Sequence, residues 1–128
     1  MTKVSFFTSG CRSNQAETAV LKGIFKHKGF TLAADDVPTE ILVINSCTVT
    51  AESEREARRI INRSVRFNPN VRVAMTGCLA QVQTKKILSW PHVSWVVGNA
   101  KKMMLADIIQ EDMGQGVARL VISPIQGI

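Results

Sequence analysis

Three short apolar runs each end in small polar residues and a cysteine, and a stretch with helical character follows each cysteine. The runs are residues 6–11, 43–47 and 74–78, and they contain all three cysteines of the chain. If each run is a strand of one parallel sheet, the three thiols emerge at one edge, because parallel strands present their carboxyl ends on the same side. The pattern therefore predicts a sheet built by strand–helix alternation, with one shared site at its carboxyl edge.

The rest of the chain continues this alternation. We predict strands at 3–8, 30–33, 41–44, 71–75 and 93–97, and helices at about 14–28, 52–67, 78–90 and 101–113. Residues 41–44 are apolar throughout, which is typical of a strand that helices cover on both faces. The sequence therefore predicts an α/β fold: a doubly wound, mostly parallel sheet of four to five strands with helices on both faces.

Local signals predict where these helices begin, end and face the core. Asn14, followed by Glu17, has the pattern of an N-cap with a capping-box partner, and Gly29 is expected to end the same helix. Thr50 is expected to cap the second helix. Apolar residues at helical spacing are predicted to face inward: Val20, Leu21, Ile24 and Phe25 in the first helix, and Met104, Leu105, Ile108 and Ile109 in the last.

Length and composition indicate one globular domain. The chain has 128 residues, of which 45% are hydrophobic and 20% charged, and these fractions disfavour disordered and fibrous classes. We expect residues 1–113 to form the domain, and residues 114–128 to be an edge strand or a linker to an absent domain. No apolar stretch reaches the roughly eighteen residues of a membrane helix, and the first residues lack a signal-peptide pattern. The expected location is the cytoplasm, with no membrane partner.

The chain is basic, with a formal net charge of +6, which favours an anionic partner and nucleic acid first. Four arginines share one face of the second predicted helix, and a fifth lies beside them: Arg55, Arg59, Arg63 and Arg66, with Arg58 as the fifth. One interpretation is a groove for an RNA backbone. The other, which the sequence favours slightly, is a solvated face whose charge is relieved by three glutamates, Glu52, Glu54 and Glu56.

The position of the cysteines suits metal ligation. A cysteine between a strand and a helix lies near backbone N–H groups, which stabilise the thiolate, and soft thiolates select zinc, copper(I) or iron–sulfur clusters. A [4Fe-4S] cluster on three cysteines leaves one iron open to a further ligand. Zinc would need His27 or His92, and both are predicted at the opposite end of the sheet. Three inert core thiols remain the alternative that spacing alone leaves open.

Three segments of the sequence carry a more specific resemblance. They are residues 10–18 (GCRSNQAET), 45–52 (NSCTVTAE) and 77–81 (GCLAQ). Together they resemble the amino-terminal domain of the radical-SAM methylthiotransferases. Within that family they are most similar to the branch that acts on N6-threonylcarbamoyladenosine at position 37 of tRNA.

The resemblance implies that Cys11, Cys47 and Cys78 hold an auxiliary [4Fe-4S] cluster, whose open iron carries the sulfur added at C2 of the adenosine. It also implies a following domain, in which a Cys-x3-Cys-x2-Cys motif binds a second [4Fe-4S] cluster that cleaves S-adenosylmethionine, and a final RNA-binding domain. The present sequence lacks that motif. It is therefore expected to be a fragment that is inactive alone. The competing class is a non-enzymatic α/β module that binds RNA or protein and retains structural thiols.

Overall fold

The computed structural model describes residues 2–9, 12–33, 39–46, 49–112 and 119–121. Within these ranges the strands are β1 (Lys3–Ser9), β2 (Thr31–Leu32), β3 (Ile41–Ser46), β4 (Arg72–Thr76), β5 (Val93–Val97) and β6 (Arg119–Val121). The helices are α1 (Arg12–His27), α2 (Ala51–Phe67), α3 (Cys78–Val82), α4 (Thr84–Leu88) and α5 (Leu105–Asp112), and a 3₁₀ helix (Asn99–Met104) precedes α5.

All strands of the described part of the chain join one parallel sheet in the order β2-β1-β3-β4-β5-β6. The predicted α/β class is confirmed. Four longer strands form the centre of the sheet, and the two short strands β2 and β6 form its edges. The order 2-1-3-4-5 is that of flavodoxin-like doubly wound sheets, whose ligands bind beyond the carboxyl ends of the strands where the order reverses. Here that reversal lies between β1 and β3.

The core lies on both faces of the sheet. Every residue of β3 is buried, as predicted for an apolar run that helices cover on two sides. Ile41 and Val43 pack in the cluster that contains residues of α1 and α5, whereas Leu42 and Ile44 pack with residues of α2, α3 and α4. Successive residues of β3 therefore pack into opposite layers of the core, and this alternation fixes the register of the sheet.

Two of the predicted helix ends are confirmed. Thr50 caps α2, because its Oγ1 accepts a hydrogen bond of 3.0 Å from the backbone N–H of Ser53. Gly29 follows the end of α1 with φ +98°. The Phe30 N–H donates to the Phe25 carbonyl at 3.0 Å, which is the hydrogen bond of a Schellman motif with glycine in the left-handed position.

The predicted cap of α1 is wrong. The helix already begins at Arg12, so Asn14 lies inside its first turn rather than before it. The Glu17 carboxylate accepts a hydrogen bond at Oε1 from the Lys102 ammonium at 2.8 Å. The capping-box spacing at this place therefore does not mark the start of the helix.

Three further details of the helices differ from the prediction. Val20 is exposed, because it lies on the flank of the buried face that Leu21 and Phe25 form. Met104 is exposed because it closes the 3₁₀ helix, and the helical period of α5 starts only at Leu105. The helix predicted after Cys78 is divided into α3 and α4 at Gln83.

The predicted last helix ends at Asp112 in the described part of the chain, and Met113 lies outside the described residues. The segment 114–128, left open between an edge strand and a linker, contributes β6, which pairs with β5. In the ranges given above, no helix has both the length and the apolar character needed to cross a bilayer.

Candidate functional site

The carboxyl ends of β1, β3 and β4 lie side by side. Ser9 at the end of β1 pairs in register with Ser46 at the end of β3, and Asn45 pairs with Thr76 at the end of β4. These are the three strands that precede the cysteines. The segments that carry the three thiols therefore leave the sheet from neighbouring positions at one edge.

Of the three predicted ligands, the structure describes Cys78. It is the first residue of α3, and it is half-buried rather than enclosed in the core. Cys11 and Cys47 lie outside the described residues, so the meeting of the three thiols stays a prediction. Among the described residues, which include only one cysteine, no group of three or more His, Cys, Asp or Glu side chains is placed to hold a metal ion.

Gly77 brings the turn before Cys78 into contact with the end of β3. Its φ and ψ are 99° and −171°, a conformation that is almost exclusive to glycine. A Cβ at this position would overlap the backbone carbonyl oxygen of Ser46 and would lie 2.9 Å from Oδ1 of Asn45. Only a residue without a side chain fits, so this contact fixes the start of α3 against the residue that precedes Cys47.

A buried polar cluster lies beneath the same edge. Thr18 of α1 accepts two hydrogen bonds at its Oγ1, one of 2.8 Å from the Thr8 hydroxyl and one of 3.1 Å from Nδ2 of Asn45. Thr18 and Asn45 are both buried. The cluster ties together β1, β3 and the first half of α1, because buried polar groups in a low-dielectric interior hold their partners firmly.

This cluster was missed in the sequence, although a signal for it was present. Thr8 and Asn45 each follow an inward apolar residue of the same strand by two positions, these being Phe6 and Val43. Side chains two apart on a strand point to the same face. Continuing the inward-facing alternation of each strand by one more residue pair would have placed both polar side chains on the inward face of the sheet.

A second buried group at this edge is a cation. The Lys102 side chain is 4% exposed, and its Nζ donates to Oε1 of Glu17 at 2.8 Å, whereas Glu17 is 45% exposed. Lys102 belongs to the 3₁₀ helix that follows β5, so the ion pair joins the end of β5 to α1. No periodic pattern in the sequence indicated this residue.

The two histidines lie at the other edge of the sheet, as expected. His27 ends α1 just before β2 begins, and His92 directly precedes β5. The His92 ring nitrogen Nδ1 lies 3.2 Å from the carbonyl oxygen of Val71, which is also before a strand. Neither imidazole is placed to complete a zinc site with Cys78.

The arginines of α2 are all exposed, and we call them the arginine face: Arg55, Arg58, Arg59, Arg63 and Arg66. Together with Ile60 and Asn62 they line an open depression of the surface. The Arg58 guanidinium carbon lies 5.4 Å from the centroid of the Trp90 ring. The structure thus brings the predicted arginines onto one surface.

Comparison with known proteins adds to this geometry. The profile of "Uncharacterized protein family UPF0004" matches residues 3–98. The chain is 37% identical over 123 residues to "Threonylcarbamoyladenosine tRNA methylthiotransferase MtaB" of Aquifex aeolicus, which is 96% of this chain and 30% of that protein. It is 33% identical over 111 residues to the protein of the same name in Bacillus subtilis, covering 87% of this chain and 25% of the relative.

A relative named for a different substrate also matches. The chain is 28% identical over 129 residues to "Ribosomal protein uS12 methylthiotransferase RimO" of Endomicrobium trichonymphae, covering 97% of this chain and 28% of that protein. The chain thus spans less than a third of the length of these relatives.

Proposed function

The chain belongs to the UPF0004 family, the N-terminal domain of MiaB- and MtaB-type methylthiotransferases, and on that premise we propose that it carries the auxiliary cluster of a tRNA methylthiotransferase. The proposed ligands of this [4Fe-4S] cluster are Cys11, Cys47 and Cys78. We further propose that residues 1–113 form the cluster domain.

The contact between Gly77 and Ser46 is the observation that carries this proposal. It holds the residue before Cys78 against the residue before Cys47. Ser46 in turn pairs in register with Ser9, two residues before Cys11. Consecutive Cα atoms are about 3.8 Å apart, so each cysteine is limited by covalent geometry to the neighbourhood of these fixed positions. Convergence of the thiols at the carboxyl edge is the simplest consequence.

The donor set fits an iron–sulfur cluster better than zinc. Thiolates suit both, but a closed zinc site on three cysteines needs a fourth protein ligand, and both imidazoles lie at the opposite edge of the sheet. A purely structural thiol would be expected in the core, but Cys78 is half-buried at the edge where ligands bind in doubly wound sheets. When bound, a cluster with three cysteine ligands supplies an open iron that can carry the sulfur to be transferred.

The surrounding residues position these ligands. Thr18 holds the ends of β1 and β3 through its hydrogen bonds with Thr8 and Asn45. The segments that lead to Cys11 and Cys47 therefore start from fixed positions. Gly77 does the same for the third segment. Such preorganisation matters, because ligand loops that must first be ordered bind a cluster less tightly.

We propose threonylcarbamoyladenosine at position 37 of tRNA as the substrate, with the methylthio group added at C2. The names of the 37% and 33% identical relatives support this choice over the ribosomal protein that the name of the 28% identical relative gives. The reaction also requires S-adenosylmethionine, a second [4Fe-4S] cluster and RNA-binding residues. We propose that radical-SAM and RNA-binding domains of the same longer chain supply them, so that these 128 residues are inactive alone.

Anaerobic reconstitution of the chain with iron and sulfide tests the cluster assignment. We expect about four irons per wild-type chain and a thiolate-to-iron absorption band. Cys11→Ala, Cys47→Ala and Cys78→Ala should each lose most of the iron, whereas the matched control His92→Ala should retain it. A Cys47→Ala chain that takes up the wild-type amount of iron would refute the ligand set and favour a module with structural thiols.

A further inference from the structure

The arginine face points directly away from the core of the domain. The buried residues of α2 are Ser53, Ala57 and Ile61, and they lie on the opposite side of the helix. At about 100° per residue, the five arginines cover an arc of roughly 140° centred opposite that buried side. The arginine face therefore forms one continuous outward surface, and Arg58 lies at its flank, with its guanidinium carbon 5.4 Å from the centroid of the Trp90 ring.

The charge of this surface is poorly neutralised. Glu54 is only 14% exposed and bonds to the Lys86 ammonium at 2.9 Å, so it is turned toward α4. Glu56 lies 3.9 Å from Arg59, at the limit of an ion pair, and this is the sole ion pair that the five arginines make among the described residues. Two of the three glutamates expected to relieve the arginines thus contribute little, which weakens the solvated-face interpretation.

The arginine face begins near the candidate site. The first residue of α2, Ala51, follows the end of β3 at the carboxyl edge, where Cys47 occurs in the sequence. With a rise of 1.5 Å per residue, the helix from Arg55 to Arg66 extends about 17 Å away from that edge. A polyanion bound along the arginine face would therefore lead to the candidate site at one end.

We propose that the arginine face binds the phosphate backbone of the tRNA whose modified base reaches the cluster. This inference rests on the proposed function for the identity of the RNA. Guanidinium groups bind phosphate oxygens in a bidentate manner, and arginines that recur one helical turn apart can engage successive phosphates of a strand. Such contacts hold and orient the RNA without reading its sequence.

The test is tRNA binding by the full 128-residue chain as a function of salt concentration. Arg59→Gln with Arg63→Gln should raise the dissociation constant at low salt by about tenfold or more, because two phosphate contacts are lost. The slope of log K against log salt should become shallower by about 0.7–0.9 for each arginine replaced. Both side chains are exposed, so the variant should fold, which circular dichroism checks.

The matched control removes two charges elsewhere. Lys22 and Lys26 are exposed and four residues apart on α1, which packs on the other face of the sheet. Lys22→Gln with Lys26→Gln should leave affinity and slope close to wild type. The proposal would be overturned if both double variants lost the same amount of tRNA affinity, or if the arginine variant bound tRNA like wild type. It would also be overturned if the wild-type chain bound no tRNA at low salt.

Iron uptake separates this proposal from the cluster assignment. The arginine variant should reconstitute with the wild-type iron content, because none of its changes involves a cysteine. Loss of tRNA affinity with normal iron uptake supports the arginine face. If the arginine variant binds tRNA like wild type while the cysteine variants fail to take up iron, the cluster assignment is supported and only the role of the arginine face is refuted.

Discussion

The α-carbon of Gly77 packs against the backbone carbonyl of Ser46, with no room for a side chain between them. The contact joins two loops that are 31 residues apart in sequence and that each lead to a cysteine. It lies at the carboxyl edge of the sheet, where β3 and β4 end in register. A steric requirement at one glycine thus defines the base of the candidate site.

Gly77→Ala should lower the free energy of unfolding by about 2–6 kcal/mol. Alanine would adopt a backbone conformation that costs about 1–3 kcal/mol, and its methyl group would displace the end of β3 at a further cost of similar size. Urea denaturation measures the change. The variant should also take up less iron than wild type, because two ligand loops separate.

Two other glycines separate the causes of this effect. Gly29 has the same positive φ but open space around its Cα, so Gly29→Ala should cost only about 1–2 kcal/mol. Gly23 lies within α1 with nothing near it, and Gly23→Ala should stabilise the chain by about 0.5–1 kcal/mol. A Gly77→Ala chain as stable as Gly29→Ala would show that the contact with Ser46 is unimportant.

Thr18→Val should destabilise the domain by about 1–3 kcal/mol, although it preserves the shape of the side chain. The substitution removes the acceptor of the Thr8 hydroxyl and of Nδ2 of Asn45, and both of these donors are at least partly buried. Thr18→Ser keeps the hydroxyl and should cost less. Thermal unfolding compares them, and a valine variant as stable as wild type would exclude a structural role for this cluster.

The ion pair between Lys102 and Glu17 should respond unequally to loss of either partner. Glu17→Gln leaves an ammonium that is almost fully buried without its carboxylate, and should cost about 3 kcal/mol or more. Lys102→Met leaves a carboxylate that water already reaches, and should cost less than about 1.5 kcal/mol. Urea denaturation of both variants at neutral pH measures the difference in their free energies of unfolding. A larger loss in Lys102→Met than in Glu17→Gln would contradict the burial of the Lys102 ammonium.

The architecture followed from sequence because its signals are local. The continuous apolar run at 41–44 indicated a strand covered on both faces, and β3 is buried throughout. Thr50 and Gly29 were identified because caps depend on short-range geometry. The confirmed α/β class follows from the alternation of these elements.

The errors arose where tertiary contacts override local patterns. The Asn14 and Glu17 pair has the spacing of a capping box, but Glu17 is held by Lys102, which is 85 residues away in sequence. Met104 has the spacing of a core residue, but the chain forms a 3₁₀ helix there and the period changes. Neither the ion pair nor the 3₁₀ helix is indicated by the neighbouring sequence.

The site was predictable only in part, for a related reason. Residue type and spacing indicated which cysteines to consider, and the register of β1, β3 and β4 agrees with a common edge. The buried contacts beneath it, Gly77 on Ser46 and Asn45 to Thr18, depend on strand order. A sequence does not reveal which strands become neighbours until the crossovers are known.

Convergence of the three thiols can be measured without assembling a cluster. Arsenite binds three thiolates that lie close together, so one equivalent should protect all three cysteines of the reduced chain from a thiol-labelling reagent. Cys47→Ala should abolish most of this protection of Cys11 and Cys78. We expect stoichiometric protection in the native chain and none in urea, whereas thiols of the native chain that label at the same rate with and without arsenite would contradict their convergence.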